Sequence, residues 1–278
     1  MVWFLSVYHK PVWMTIEKST EKVRNMLGLS RQKSKRKGQL RVAFLRAGWY
    51  NPLERGVMSV SRTRGVVFDM DGTILDTLGD LTAAVNYALA QHGLPLRTAT
   101  QIRAYLGYGP ANLIRQACPA GTPEEPAQMV LATYRPYYAL HSQDTTGPYP
   151  GIPELLIRLQ AQDIRLAVVS NKQECDVEAL RRRFFADTVE LAVGDVAGRP
   201  LKPAPDGVLL AMERLGVRPE ETWFVGDSEV DVATARNAGL RCIAVTWGFR
   251  DAPALMAAGA DILVDTPQQA AEMLLREI

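Results

Sequence analysis

The sequence predicts an α/β protein with a Rossmann-like parallel sheet and a helical domain inserted after the first strand. Beyond residue 64, short apolar runs of strand length alternate with longer segments of helical periodicity, which is typical of right-handed βαβ units. Between residues 74 and 149, helical patterns instead follow one another, and no run has the character of a strand. With 278 residues, of which 47% are hydrophobic and 22% charged, the chain has enough apolar material for a sizeable core.

The predicted elements begin with a strand at Val66–Phe68, which follows Gly65. In the inserted domain, apolar residues recur at helical spacing over residues 81–92, 98–106, 111–117 and 123–140. Pro136 lies in the last helix, and we expect it to kink or split that helix because proline lacks a backbone N–H. Further along, the predicted helices cover 153–162, 174–184, 206–215, 230–238 and 267–276, and the strands cover 165–170, 188–193, 222–225, 242–246 and about 262–264. The predicted domains are a core of residues 58–77 and 150–278, a helical domain of residues 78–149, and an N-terminal extension of residues 1–57.

The extension differs from the rest of the chain in its charge. Residues 1–57 contain twelve Lys/Arg and three Asp/Glu, whereas the remainder contains twenty Lys/Arg and twenty-seven Asp/Glu. The basic run Arg31–Gly38 is typical of a disordered tail, although such runs also bind anionic surfaces. Because Met58 stands just before the first strand, we expect that translation starts near Met58 or that the extension is dispensable.

Cysteine content indicates the compartment. The three cysteines, Cys118, Cys175 and Cys242, are far apart in sequence and give neither a disulfide framework nor a zinc-ligand spacing. We expect all three to be small buried hydrophobic residues in a cytoplasmic protein. No apolar stretch approaches the roughly 20 residues that span a bilayer, so we expect no transmembrane segment. We also expect no nucleic-acid partner, and either a monomer or a homodimer.

Two carboxylates, Asp69 and Asp71, follow the first strand directly. Side chains two residues apart in an extended chain point the same way, and ligands of open α/β sheets bind at the carboxyl ends of the strands. Two converging carboxylates repel each other unless a cation or a proton lies between them. The pair therefore predicts a metal-assisted reaction on an anion.

Polar residues also follow two later strands. Ser170, Asn171 and Lys172 come at the end of an apolar run, and their side chains can donate hydrogen bonds to phosphate oxygens. Asp227 follows the apolar run that ends at Val225. Taken alone, a Ser-Asn pair after a strand is more typical of a turn or a helix cap.

Two further charged residues complete the candidate site. Lys202 lies in a loop stiffened by prolines, which favours a fixed position for its charge. Asp231 lies one helical turn beyond Asp227, where a carboxylate also stabilises the helix N-terminus. Each of these residues, considered alone, is more often structural.

Together, these four segments resemble the haloacid dehalogenase superfamily in their order and spacing, and the similarity extends from Gly65 to the C-terminus. Within the superfamily, the flanking stretches are most similar to the phosphoglycolate phosphatases. The similar stretches are Phe68–Thr77, Gly107–Gly109, Tyr149–Gly151, Ser170–Lys172, Gly194–Asp195, Lys202–Pro205 and Val245–Gly248. The resemblance implies that residues 78–149 form a small mobile cap.

The resemblance also implies a mechanism. Asp69 would be the nucleophile that forms an aspartyl-phosphate, and Asp71 would be the general acid and then the general base. A magnesium ion would be bound by the carboxylates of Asp69 and Asp227 and by the backbone carbonyl of Asp71, which suits its preference for oxygen ligands.

The resemblance assigns the remaining site residues to the phosphate and the substrate. Lys202 would be catalytic and would hold the transferring phosphoryl oxygens together with Ser170 and Asn171. Asp231 would orient Lys202 or a metal-bound water. Gly107 and Tyr108 would bind the substrate from a loop of the cap.

Reaction and substrate follow from the same residues. Asp71 favours a phosphatase over a dehalogenase, because a departing alkoxide needs a proton and a halide does not. No lysine occurs between residues 78 and 150, which disfavours a phosphonate-cleaving enzyme with a Schiff-base lysine in the cap. We expect a magnesium-dependent phosphatase of carbohydrate metabolism that acts on a small phosphorylated metabolite, first of all 2-phosphoglycolate. A sugar phosphate, an amino-sugar phosphate, pyrophosphate and a non-catalytic scaffold remain open, and Arg103, Arg115 and His92 are candidate readers of a substrate carboxylate.

Overall fold

The computed structural model describes residues 64–260 and 262–277. The predicted extension of residues 1–57 and the expected start at Met58 lie outside the described residues.

A six-stranded parallel sheet forms the centre of the described protein, in the order β5-β4-β1-β6-β7-β8. The strands are β1 Gly65–Phe68, β2 Leu75–Asp76, β3 Gly147–Pro148, β4 Arg165–Gln173, β5 Leu191–Asp195, β6 Thr222–Gly226, β7 Arg241–Val245 and β8 Leu263–Val264. β1 pairs with β4 on one side and β6 on the other, with Gly65 opposite Arg165 and Thr222. The predicted α/β class with a parallel sheet is confirmed.

Ten α-helices occur in the described residues. They are α1 Leu78–Gln91, α2 Ala99–Tyr105, α3 Gly109–Ala117, α4 Glu124–His141, α5 Ile152–Gln160, α6 Glu174–Phe185, α7 Asp206–Leu215, α8 Glu229–Ala238, α9 Ala252–Ala257 and α10 Pro267–Glu277. A short 3₁₀ turn covers Pro219–Glu221. None of these helices has both the length and the apolar character required to cross a membrane.

Helices cover both faces of the sheet. On one face, Phe68 belongs to a buried apolar cluster with residues of α5, α6 and α10. On the other face, Val67 belongs to a second cluster with residues of α7 and α8. Both side chains are completely buried, as alternation along a central strand requires. The two layers fix β1, and therefore the residues that follow it.

Helices α1 to α4, residues 78–141, form the helical insertion, which has an apolar cluster of its own. Leu89, Ile114 and Tyr138 are among its buried members. The chain enters and leaves this region through an antiparallel pair in which Leu75 lies opposite Pro148 and Asp76 opposite Gly147.

Two sequence predictions about these elements are wrong, and one of the two outcomes expected at Pro136, a split helix, does not occur. The region between residues 74 and 149 does contain strands, but β2 and β3 have two residues each and are too short to give a periodic signal. Pro136 does not split its helix, because α4 continues from Glu124 to His141 with Tyr134 and Tyr138 buried on either side of the proline. Cys175 is exposed, whereas Cys118 is buried.

β5 also begins later than predicted. The amides of Thr188 and Val189 donate to the carbonyl oxygen of Phe185 and so close the end of α6. Pairing with β4 begins only when the amide of Glu190 donates to the carbonyl oxygen of Leu166, at 3.0 Å.

Candidate active site

The predicted site residues of the core meet at the carboxyl ends of β1, β4 and β6. Asp69 follows β1 and is anchored by a 2.8 Å hydrogen bond from its amide to the carbonyl oxygen of Val225. Ser170 and Asn171 lie in the last part of β4, and Asp227 follows β6. Because these strands are neighbours in the sheet, residues far apart in sequence become adjacent.

Lys202 lies in the middle of this group. Its Nζ atom is 2.7 Å from Asp69 Oδ1 and 2.8 Å from Asp231 Oδ1. Asn171 holds the loop in place, because its Oδ1 accepts a 2.7 Å hydrogen bond from the amide of Lys202 and its Nδ2 donates to the Lys202 carbonyl oxygen at 2.9 Å. The lysine side chain is thus fixed at its base by Asn171 and at its tip by two carboxylates.

Asp231 is buried in the first turn of α8 and has partners on both carboxylate oxygens. Its Oδ1 pairs with Lys202, while its Oδ2 accepts from the amide and the hydroxyl of Ser228, at 3.0 and 2.6 Å. Ser228 is the N-cap of the helix and completes a capping box. Gly226 permits this arrangement, since a Cβ atom there would lie 2.3 Å from the Asp231 Cβ.

Asp227 is held from two sides. Its Oδ1 accepts a 3.0 Å hydrogen bond from the hydroxyl of Thr73, and its Oδ2 accepts a 2.6 Å bond from the amide of Phe249. Gly72 approaches it closely with φ +89°, and a Cβ atom there would be 2.4 Å from Asp227 Oδ2. Sequence reasoning missed Thr73 and Phe249; only the position of Phe249 shortly after β7 could have indicated it.

Burial and mutual repulsion shift the pKa values of this cluster. Burial and the charge of Asp231 raise the pKa of Asp69 well above its usual value. The same two causes raise the pKa of Asp227 to about 7. Burial alone would lower the pKa of Lys202, but the charges of Asp231 and Asp69 outweigh it and raise that pKa. The single positive charge of Lys202 is therefore surrounded by several buried carboxylates.

The donor set fits a divalent cation that prefers oxygen. Carboxylate oxygens of Asp69, Asp227 and Asp231 all lie within 4.8 Å of one another, and hard cations such as magnesium take such ligands. Asp231 is already paired with the Lys202 ammonium through Oδ1. Asp227 accepts hydrogen bonds only from two neutral donors, and Asp69 Oδ2 has no hydrogen bond within the described part of the chain. Asp69 and Asp227 are therefore the better placed pair.

Asp71 lies beside this group with a different set of partners. Its Oδ1 is 3.1 Å from Lys172 Nζ, and its Oδ2 accepts a hydrogen bond from the hydroxyl of Ser170 at 3.4 Å. Lys172 also donates to the hydroxyl of Tyr138 in α4 and lies 4.2 Å from that ring's centroid. The sequence indicated Lys172 as a hydrogen-bond donor to phosphate oxygens, whereas the structure pairs it with Asp71.

A cavity lies between these residues and the helical insertion. Its lining includes Gly107 and Arg135 of the insertion, together with the carboxylates of the core. The carbonyl oxygen of Gly107 accepts a 2.9 Å hydrogen bond from Asn171 Nδ2. Tyr108 is not among the lining residues of the described chain: its side chain is 45% exposed, and burial together with the charge of Glu229 raises its pKa.

The three candidate carboxylate readers all have other partners. Arg103 donates to the backbone carbonyl oxygens of Gly248 and Phe249. The other two are held within the insertion: Arg115 pairs with Glu124 at 2.9 Å, and His92 is hydrogen-bonded to Thr133 at 2.8 Å.

Comparison with known proteins gives consistent matches. The sequence model of the haloacid dehalogenase-like hydrolases matches residues 66–245. The chain is 35% identical over 233 residues to phosphoglycolate phosphatase 1 of Pseudomonas aeruginosa, covering 76% of this chain and 82% of that protein. It is 31% identical over 225 residues to N-acetylmuramic acid 6-phosphate phosphatase of the same organism, covering 80% and 99%. The crystal structure of a candidate phosphoglycolate phosphatase from Lactobacillus delbrueckii subsp. bulgaricus superposes with a TM-score of 0.72 at 36% identity, covering 77% of this chain and 98% of that one.

Proposed function

Since the chain belongs to the haloacid dehalogenase-like hydrolase family, we propose that it is a magnesium-dependent phosphatase that converts 2-phosphoglycolate to glycolate and phosphate. The observation that carries this proposal is the position of the Lys202 ammonium between Asp69 and Asp231, beside the carboxylate of Asp227. The reaction class, hydrolysis of a phosphoric monoester, agrees with the names of the curated relatives.

Asp69 is the nucleophile in this proposal. Its carboxylate attacks phosphorus to give an aspartyl-phosphate, which divides one difficult displacement into two easier ones. The oxygens of Asp69 and Asp227 and the backbone carbonyl of Asp71 would hold magnesium, which reduces the repulsion between an anionic nucleophile and an anionic substrate. Lys202, held by Asn171, supplies a fixed positive charge next to the attacking oxygen.

Asp71 is the general acid and base. It protonates the leaving oxygen in the first step and removes a proton from the attacking water in the second. Lys172 and Ser170 hold one oxygen each of this carboxylate. These contacts support a single orientation of Asp71 during both steps.

The position of Arg135 in the cavity favours a substrate that carries a second anionic group besides the phosphate. The other cations that line the cavity have acidic partners: Lys172 has Asp71, Lys202 has Asp69 and Asp231, and Arg250 has Glu229. Within the described part of the chain, Arg135 has no such partner. A guanidinium with free donors suits a carboxylate, and 2-phosphoglycolate carries a carboxylate.

An amino-sugar phosphate is the second candidate. The relative named N-acetylmuramic acid 6-phosphate phosphatase matches this chain over 99% of its own length, and that compound also carries a carboxylate. Arg135 therefore does not distinguish these two substrates, and only their rates can.

Phosphate release from a small panel of phosphorylated compounds tests the proposal. We expect a higher kcat/KM for 2-phosphoglycolate than for N-acetylmuramic acid 6-phosphate, glucose 6-phosphate, pyrophosphate and p-nitrophenyl phosphate. The activity should disappear with EDTA and return with magnesium. A higher kcat/KM for the amino-sugar phosphate would make that compound the preferred substrate instead of 2-phosphoglycolate. If none of the compounds released phosphate in the presence of magnesium, the proposed phosphatase activity would be refuted.

A further inference from the structure

We propose that Arg103 is a positioning residue, which couples the seating of the helical insertion on the core to the position of Asp227. The inference rests on the proposed function, in which Asp227 holds magnesium. It assigns to Arg103 a role different from reading a substrate carboxylate.

Arg103 reaches from the helical insertion to the loop that follows β7. Its Nε donates to the carbonyl oxygen of Phe249 at 2.8 Å, and its Nη2 donates to that of Gly248 at 2.5 Å. One rigid guanidinium thus binds two consecutive carbonyl groups, a geometry that lysine cannot reproduce.

The same loop holds Asp227. The amide of Phe249 donates to Asp227 Oδ2 at 2.6 Å, so residue 249 is bound by Arg103 through its carbonyl oxygen and to Asp227 through its N–H. Gly248 packs against the aspartate so closely that a Cβ atom there would lie 2.4 Å from both Cβ and Oδ2 of Asp227. The loop therefore cannot shift without disturbing the carboxylate.

The core binds the insertion in return. Arg250 donates to the carbonyl oxygens of Arg103 and Leu106, at 3.1 and 2.8 Å, while Glu229 holds the guanidinium of Arg250 at 2.8 Å. The ring of Phe249 is packed in the apolar cluster of the insertion. Two arginines and one ring thus hold the 248–250 loop to the insertion, and the loop in turn holds a proposed magnesium ligand.

Loss of the Arg103 contacts should weaken magnesium binding. Partners that orient a metal ligand typically contribute about 10- to 100-fold to metal affinity. Arg103 acts one step further out, through the Phe249 amide, so we expect its loss to raise the magnesium Kd about three- to tenfold. The kcat at saturating magnesium should stay close to that of the wild type, because Arg103 touches none of the reacting groups.

Arg103→Met tests the proposal, with Arg115→Met as the matched control. Arg115 belongs to the same insertion, but it pairs with Glu124 in an exposed ion pair. Magnesium binding is measured by calorimetry without substrate, and the magnesium dependence of p-nitrophenyl phosphate hydrolysis gives an apparent activation constant. We expect both constants to rise about three- to tenfold for Arg103→Met and to stay unchanged for Arg115→Met, with Arg103→Lys in between because an ammonium can serve only one of the carbonyl groups.

Equal magnesium affinity in Arg103→Met and Arg115→Met would overturn the proposal. The side chain of Arg103 is exposed, so its replacement leaves the buried clusters intact; if Arg103→Met nevertheless fails to fold, the same criterion applies to Arg103→Lys. A wild-type protein that neither binds magnesium nor hydrolyses the ester would refute the proposed function itself. A wild type that does both, with no difference between the two methionine variants, would refute only the role of Arg103.

Discussion

The buried ammonium of Lys202 illustrates how this site balances charge. A lysine withdrawn from water is costly unless its charge is paired, and here carboxylates lie 2.7 and 2.8 Å from Nζ. The partners carry more negative charge than one lysine can neutralise, because Asp227 joins Asp69 and Asp231 within 4.8 Å. This excess of negative charge favours the binding of a divalent cation.

Replacement of Asp69 by asparagine tests the nucleophile. An amide cannot form the acyl phosphate, so we expect kcat to fall at least about a thousandfold, as removal of a nucleophile does in other enzymes. The fold should be retained, because the Asp69 amide keeps its bond to Val225. Circular dichroism checks the fold and phosphate release gives the rate; a variant with most of its activity would end the covalent mechanism.

Replacement of Arg135 by methionine tests whether this residue binds the carboxylate of the substrate. A hydrogen bond to a charged group contributes roughly 1.5–3 kcal/mol, and the exposure of Arg135 favours the lower end. We expect the KM for 2-phosphoglycolate to rise about tenfold, with no change for p-nitrophenyl phosphate, which has no carboxylate. Arg158→Met on the exposed side of α5 is the control, and an equal effect on both esters would refute specific recognition.

The strands of the main sheet could be predicted because each has a local pattern in the sequence. β1, β4 and β6 are apolar runs that end in polar residues, and the rule that parallel strands share one carboxyl edge was enough to bring Asp69, Asn171 and Asp227 together. Lys202 follows no strand directly, so only the family resemblance indicated its place in the site. β2 and β3 left no such signal, since two residues show no alternation. Phe249 and Arg135 were missed for another reason: their roles depend on how the helical insertion sits over the sheet, which no local pattern encodes.

The connection between β3 and the insertion is tied down by one carboxylate. Asp80, in the first turn of α1, is buried and accepts bonds from the amide and hydroxyl of Thr145, at 2.9 and 2.6 Å, and from the amide of Thr146 at 2.9 Å. Burial raises the pKa of Asp80, but these hydrogen bonds outweigh it and lower the pKa below its ordinary value of 3.8. The segment that leads out of the insertion is thereby fixed to the start of its first helix.

Asp80→Asn should lower the free energy of unfolding by about 1–3 kcal/mol, the usual effect of leaving buried partners unsatisfied. Because the pKa of Asp80 is lower in the folded protein, its contribution is fully present above pH 3.8 and is lost as the pH falls below that value. The difference between wild type and variant in urea unfolding should therefore be constant at higher pH and shrink as the pH falls below about 4. Asp144→Asn, which removes a surface pair with His141, is the control; a difference independent of pH would contradict the assignment.

At the scale of the whole molecule, we expect the carboxylate cluster to make stability depend on a bound cation. β1 and β6 are fixed by helices on both faces of the sheet, so Asp69 and Asp227 cannot move apart to relieve their repulsion. A cation that binds only the folded protein stabilises it by about 2.7 kcal/mol at a concentration 100 times its Kd. For a domain of this size, that corresponds to a rise in Tm of roughly 5–10 °C.

Magnesium should therefore raise the Tm of the wild type by about this amount and that of Asp227→Asn by far less, because the variant loses one of the two carboxylates proposed to hold the ion. Without magnesium, the order should reverse: Asp227→Asn should be at least as stable as the wild type, since it carries one buried negative charge fewer. Differential scanning calorimetry with EDTA and with magnesium measures all four values, and Asp163→Asn, on an exposed turn, controls for the loss of a charge elsewhere. An equal magnesium shift in Asp227→Asn and Asp163→Asn would place the ion outside this cluster and would remove the physical basis of the proposed phosphatase site.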